Sequence, residues 1–483
     1  MKGEYYLSNN HATNLENKQI KPLPIVIAIM IGAFIGLFSE TALNMAFTNI
    51  MDDFHIGPHV VQWLTTGYLL VLGILVPVTA LLLQWFTTKQ LFSASLIFSI
   101  VGTLVGAMAP NFAILLLARV IQAIGTGLLL PLMTNVIMVI YPPHRRGTIM
   151  GMMGLVIMFA PAVGPTLSGL IVDSLGWQSI FWLCLPLLIF TFVYGLIYMQ
   201  NVSTITKPKI DILSIILSSI GFGGIVFGFS SAGEGAGSWS DPAVLLPIIV
   251  GALSLILFSF RQFKMEQPML NLRVFKFPMF SIGLLMVFLG MMIILSSSIL
   301  LPMYLKGGML LSAFAAGLVL LPGGIVNGIM SPITGKLFDT FGPKYLVIPG
   351  FVLTTIFTYL FTNITTETTQ LTVIILHTCM LIGVAMIMMP SQTNGLNQLP
   401  RQYYPDGAAV MNTLQQIAGA IGTAVAVSIM SAGQASYLAT ADPNNPLAAS
   451  EALTAGVQNA FLFALIASII GLVVSFFVKR VDV

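Results

Sequence analysis

GLVIMFAPAVGPTLSG, residues 154–169, carries no charge, lies inside a long apolar run and holds Pro161 and Pro165 four residues apart. Ala160, Gly164 and Ser168 repeat at the same spacing. In an α-helix, residues i and i+4 share a face. One side of this helix is therefore nearly bare of side chain and admits a second backbone closely. The prolines remove two backbone donors beside it and loosen the hydrogen-bond ladder. In water this is a poor helix. In a bilayer it is tolerated, because neighbouring helices satisfy the freed groups. On the residues alone two readings stay open: an ordinary small-residue packing seam between membrane helices, and a specialised seam in a transporter.

The rest of the chain decides the solvent. Of 483 residues, 57% are hydrophobic and 7% charged, and the mean hydropathy is +0.96. A soluble chain carries about 25% charged residues. This is the composition of an all-α polytopic membrane protein. Cys184 and Cys379 both lie in apolar runs and read as small buried hydrophobes, not as a disulfide or a metal pair. The polar N-terminal tail lacks the short apolar core and small-residue cleavage site of a signal peptide.

Fourteen apolar spans are expected, at 24–47, 60–83, 90–109, 112–140, 148–172, 177–199, 211–231, 242–261, 277–303, 311–331, 344–362, 370–396, 407–432 and 457–478. The seventh carries Gly221, Gly223, Gly224 and Gly228 and is open to being broken. With the N-terminus inside and the sides alternating, 17 of the 19 Lys and Arg residues fall in cytoplasmic segments. Lys306 alone falls outside, and Arg119 falls within a span. This is the positive-inside bias of a correct topology. It puts both termini in the cytoplasm of a multi-pass protein of the cell membrane. A short inner connection, GKLFDTFGPK (335–344), echoes LLLQWFTTKQ (81–90). The echo implies two parallel halves joined by a central helix pair. The expected divisions are a tail over 1–23, a six-helix bundle over 24–199, a two-helix insertion over 211–261 and a second six-helix bundle over 277–478.

No connection is long enough for a nucleotide-binding domain, and GxxxxGK[ST], CxxC and HExxH are all missing from the sequence. ATP-driven transport by the chain itself and a metal site are not expected. Nothing points to nucleic acid or to covalent catalysis.

Four motifs resemble those of the major facilitator superfamily, in its fourteen-helix drug:proton antiporters, and among them the multidrug and lincosamide exporters of Gram-positive bacteria. GKLFDTFGPK matches the inner-loop signature through Gly335, Asp339, Gly342 and Lys344. The first-half copy departs, with Gln84 and Thr88 where an acid and a glycine are usual. LLARVIQAIGTG (116–127) resembles the fourth-helix signature through Arg119, Gln122 and Gly125. APAVGPTLSG matches the fifth-helix antiporter motif through Gly164, Pro165 and Gly169, with Ala160, next to Pro161, and Ser168 where glycine is common. SETALNMAFTNI (39–50) resembles the first-helix signature through Thr41, Asn44 and Ala46, its acid shifted to Glu40. The resemblance covers about residues 24–480. It implies alternating access by two rocking halves, exchange of protons for amphipathic organic substrates, no cofactor beyond the proton gradient, and function as a monomer. It also makes span 5 an interface between the moving halves.

Glu40 has two readings. A carboxylate deep in a span must face a cavity or a partner, and there it is suited to carry a proton. Alternatively it sits wet at the outer mouth, because Asp52 follows only twelve residues later. Arg119 either anchors span 4 or, as the resemblance implies, acts in proton coupling. Gln122 lies one turn away on the same face. Asp339 either caps a helix or pairs with a cation of a neighbouring inner segment; the resemblance makes it a gating latch. Asn44, Gln122, His377 and Asn394 are expected along the substrate pathway, His377 having a structural reading as well. The expected function is proton-coupled efflux of amphipathic drugs or antibiotics. A metabolite or ion antiporter of the same build is the alternative, and a non-transporting sensor or scaffold is a remote one.

Overall fold

The computed structural model describes residues 22–61, 63–203, 205–207, 210–233, 239–266, 268–442 and 445–481. Most of the expected tail lies outside the described residues, as do the side chains of Pro165 and Gly169. The described residues form fourteen long helices: α1 (Pro22–Ala42), α2 (Trp63–Trp85), α3 (Thr88–Ala107), α4 (Phe112–Ile140), α5 (Pro143–Leu175), α6 (Gln178–Tyr198), α7 (Ile212–Gly233), α8 (Pro242–Lys264), α9 (Pro278–Met303), α10 (Ala313–Phe341), α11 (Lys344–Phe361), α12 (Gln370–Asn397), α13 (Tyr404–Leu438) and α14 (Ala448–Ser475). Among the described residues, 13 helices are long and apolar enough to cross a membrane. In hydrocarbon a helix satisfies its own backbone, which is why this composition folds all-α.

Apolar runs locate helices well and their ends poorly. Span 10 was expected to stop at residue 331, yet α10 continues to Phe341. Polar residues such as Lys336 and Asp339 mark where hydrocarbon ends, whereas the helix ends where Gly342 turns to a φ of +80°. GKLFDTFGPK is thus the last two turns of a helix and a very short turn. The seventh span, open to being broken, is the continuous helix α7. Its glycines serve close packing: a Cβ on Gly224 would lie 2.7 Å from the Pro247 carbonyl oxygen and 3.1 Å from the Gly251 Cα of α8. Asp211, before α7, closes the pair at its base, accepting 2.6 and 2.9 Å bonds from Arg261 of α8. Hydrogen bonding to Arg261 holds the Asp211 carboxyl down at about 2. This contribution is complete above the ordinary carboxylate value of 3.8 and is lost as pH falls through about 2.

The first six long helices pack on one another, with α1 against α4, α5 and α6 and α4 against α2 and α3. The last six do likewise, with α12 against α9, α10 and α11. α7 lies against α2 and α13, and α5 packs extensively on α10. The most apolar stretch of α8 is only 22% buried, against 61% for α1, α2 and α4. α8 is therefore peripheral, and α1, α2 and α4 are central. Replacing Gly224 by Leu is expected to destabilise the α7–α8 contact by about 1–3 kcal/mol through overpacking. In detergent this reads as a Tm lowered by a few degrees. Gly317→Ala, where a Cβ meets nothing within 4 Å, does not lower Tm, because alanine favours a helix over glycine.

Candidate functional site

Two polar centres stand out, one at each end of the helix bundle. The first is built on α4, where Arg119, Gln122 and Thr126 share a face at spacings of three and four. Glycines on neighbouring helices make room for them. A Cβ on Gly36 of α1 would lie 2.7 Å from Thr126 Oγ1, and one on Gly102 of α3 would lie 2.7 Å from Gln122 Cγ. The Arg119 side chain is 0% exposed. Its Nε donates to the Leu64 carbonyl at 3.3 Å, Nη1 to Gln122 Oε1 at 2.9 Å and to the Ser39 carbonyl at 3.3 Å, and Nη2 to the Glu40 carbonyl at 3.4 Å. Gln122 passes its own Nε2 proton on to Thr103 at 2.8 Å. The Tyr68 ring lies 4.3 Å beneath the guanidinium. A small cavity beside this network is lined by Ser39, Tyr68, Ser99, Thr103, Gln122 and Thr126.

Glu40 and Arg119 therefore meet, but through the Glu40 backbone. The one ion pair found among the described residues is Arg261–Asp211. The Glu40 side chain is half-buried, two residues before α1 ends and tightens into a 3₁₀ turn over Leu43–Ala46. Asn44, just beyond, is exposed and accepts a 2.7 Å bond from Thr65.

The second centre gathers where α4 ends and α5 begins, at the end carrying Lys89, Arg145, Lys336, Lys344 and Arg401. Asp339 of α10 reaches across to α5: one carboxylate oxygen accepts from the Gly147 N–H at 2.8 Å, and the other from the Thr148 N–H at 2.8 Å and hydroxyl at 2.7 Å. Of the two readings of Asp339, the helix-directed one matches these bonds. Arg146, 3% exposed, donates to Asn397 Oδ1 at 2.9 Å and to the Tyr404 hydroxyl at 3.0 Å. Asn412 of α13 donates to Thr134 of α4 at 3.3 Å. Between these bonds the backbones touch. A Cβ on Gly151 would lie 2.5 Å from the Ser331 carbonyl, and one on Gly147 would lie 2.5 Å from the Gly335 carbonyl. Gly342 ends α10, and Lys344 is exposed at the start of α11.

The small face of α5 changes partner along its length. Gly154 faces Ser331 of α10 and Met389 of α12, whereas Gly164 faces Thr41 and the backbone of α1. Gly164 thus packs within the first six helices, whereas Gly147, Gly151, Gly154 and Phe159 lie against the last six. Ala160 is fully buried and Pro161 half-buried. Neither proline breaks the helix, which runs unbroken from Pro143 to Leu175.

Two of the residues expected along the pathway have side chains taken up by protein bonds in the described structure. Asn394 is taken up by the C-terminal segment: its amide donates to the Lys479 carbonyl at 3.0 Å and accepts from the Val481 N–H at 3.2 Å. Gln122 is 4% exposed and tied to Arg119 and Thr103. His377 lies against Gly323 of α10, with its Nδ1 lacking a partner among the described residues. Both ends of the buried Gln392 amide lack one too. The sequence reading missed Tyr68, Thr126 and Arg146 as site residues. Arg146 was legible only as a topology marker, because Asn397 and Tyr404, its side-chain partners, lie 251 and 258 residues away. Among the described residues no cluster of His, Cys, Asp and Glu is grouped to hold a metal.

The Major Facilitator Superfamily profile matches residues 29–423. The chain belongs to that superfamily. It is a multi-pass membrane transporter, not an enzyme. It is 65% identical over 468 residues, 97% of this chain and 98% of the relative, to the lincomycin resistance protein LmrB of Bacillus subtilis. It is 58% identical over 463 residues, 96% of this chain and 98% of the relative, to the protein of the same name in Listeria innocua. The crystal structure of the human organic anion transporter MFSD10 shares the fold at a TM-score of 0.64, with 14% identity, covering 93% of this chain and 100% of that one.

The Asp339 contact is open to test. Asp339→Asn removes the charge from bonds to two backbone N–H groups and a hydroxyl, a loss of about 1.5 kcal/mol. With Cys184 and Cys379 replaced by Ser, labelling of a Met389→Cys reporter by an aqueous thiol reagent is expected to rise about tenfold. Met389 is 2% exposed at the α5–α12 contact. An unchanged labelling rate contradicts the latch.

Proposed function

We propose that this transporter exports amphipathic drugs, lincosamides among them, across the cytoplasmic membrane in exchange for protons. The observation that carries the reading is the half-buried Glu40 carboxylate beside a fully buried Arg119, in a chain 65% identical to a lincomycin resistance protein. In this reading fourteen spans divide into six-helix halves over 24–199 and 277–478 with the pair 211–261 between them. Both termini lie in the cytoplasm, and the protein works as a monomer. The end carrying Asp339 and Arg146 is then cytoplasmic and closed.

The chain's own groups suggest the cycle. Glu40 takes a proton from the outside, with the Arg119 charge held one backbone contact away. Neutralising the carboxylate removes a charge from a partly dry site and changes the balance between the two ends of the bundle. At the cytoplasmic end the Asp339 and Arg146 bonds break, and the halves part. Glu40 then gives up its proton to the cytosol as drug enters from the cytosol or the inner leaflet. The buried Gln392 amide and His377 Nδ1 are among the groups without a partner in the described residues, and they are the ones this reading offers to polar atoms of a substrate. The buried Met388 and Met389 supply adaptable apolar contact. Return to the outward-facing state expels the drug.

Two measurements test this. Cells carrying the gene should survive higher lincomycin concentrations than cells without it, and dissipating the proton gradient should abolish the difference. In detergent, lincomycin added to purified protein should displace protons, and Glu40→Gln should abolish the displacement while binding persists. Undiminished release from Glu40→Gln sinks the assignment of the carrier.

A further inference from the structure

Tyr68 belongs to no motif read from the sequence, yet it is held from two sides. Its side chain is 1% exposed on α2. One face of the ring carries the Arg119 guanidinium at 4.3 Å. Its hydroxyl donates to Thr126 Oγ1 of α4 at 2.7 Å and lies 3.4 Å from the Gly36 carbonyl of α1. Turning the ring off Arg119 would strand that hydroxyl in a dry interior, where an unmade bond is costly. The ring is therefore fixed, and the attraction between a cation and an aromatic face strengthens where water is excluded.

The arrangement also has a competitor. Arg119 Nη2 already donates to the Glu40 backbone carbonyl at 3.4 Å, so the Glu40 carboxylate is the nearest charged alternative for the guanidinium. The described structure does not use it. Every direct acceptor of Arg119 is neutral: the carbonyls of Leu64, Ser39 and Glu40, the Ser39 hydroxyl and the Gln122 amide.

We propose that Tyr68 is a positioning residue of the coupling site, holding the Arg119 guanidinium on neutral acceptors and so keeping it from pairing with the Glu40 carboxylate. The inference rests on the reading of Glu40 as proton carrier. Its consequence follows from charge. A cation in direct contact favours an ionised carboxylate, so freeing Arg119 lowers the pH at which the site exchanges its proton. The titratable groups in electrostatic reach of Arg119 besides Glu40 are Tyr68 on α2 and Cys184 on α6. The side chains bonded to it from α1 and α4 are the neutral Ser39 and Gln122, with Thr103 of α3 and Thr126 of α4 one bond further out, and α5 turns Gly164 toward this part of α1.

The test is lincomycin-driven proton release from purified protein across a pH series. Tyr68→Leu removes the ring, and its midpoint is expected to fall by about one pH unit. Tyr68→Phe keeps the ring but loses its bond to Thr126, and its midpoint is expected to fall by less than that of Tyr68→Leu. A role in packing alone would lower the yield or Tm of Tyr68→Leu without moving the midpoint, and that result overturns the proposal. Should Tyr68→Leu fail to fold, Arg119→Lys replaces the stacked plane with a mobile ammonium. The same acid shift is expected there, and an unmoved midpoint overturns the proposal equally. Release that survives in Glu40→Gln overturns the underlying reading of Glu40. Release lost in Glu40→Gln, together with an unmoved midpoint in Tyr68→Leu, overturns the role of Tyr68 alone.

Discussion

A guanidinium shut away from water must have its N–H groups met by protein. Arg119 is in that position, and much of the first six helices is arranged around it. Its acceptors come from α1, from α2 and from its own helix. Close packing around α4 makes the room: Gly36 of α1 admits the Thr126 side chain, and Gly102 and Gly125 are where α3 and α4 come backbone to backbone. The polar chain through Gln122 to Thr103 and the pairing of Tyr68 with Thr126 follow from the same need. A buried charge of this kind adds little to stability compared with an apolar core. Its value lies in fixing a cation beside the one carboxylate of α1.

The opposite end works by a different principle. There α5 and α10 approach until their backbones touch at Gly147, Gly151, Ser331 and Gly335. Contact of that kind has no graded intermediate, because packed surfaces either fit or part. Charge-assisted bonds from Asp339 and the buried Arg146 span the same junction. α5 belongs to both centres, with its first turns against α10 and its later turns at Gly164 against α1. A rigid helix that touches both sites is a physical route for coupling them.

Much of this architecture was legible in the chain. Apolar runs located the helices, because burial in lipid imposes them. Helix ends were less legible, since α10 runs past its apolar stretch to the positive φ of Gly342. Spacing put Arg119 and Gln122 on one face, and Gln122 did bond to it. Spacing could not tell that Arg119 would meet Glu40 by the backbone, that Tyr68 would lie under it, or that Asn394 would clasp the C-terminal segment. Each is a contact between distant residues, set by how helices pack. The small face of α5 was read correctly as a close-contact surface. Which helix it touches changes along its length, and no periodicity encodes that.

The account's central claim is that the proton site at one end governs the closure at the other. Distances between spin labels at positions 144 and 344, both exposed and flanking the Asp339 junction, read the closure directly. In wild-type protein reconstituted in lipid, the distance distribution should change between acidic and alkaline pH. In Glu40→Gln it should stay the same at both. A pH response in Glu40→Gln equal to that of the wild type would show that the closure is governed from elsewhere and would contradict the account.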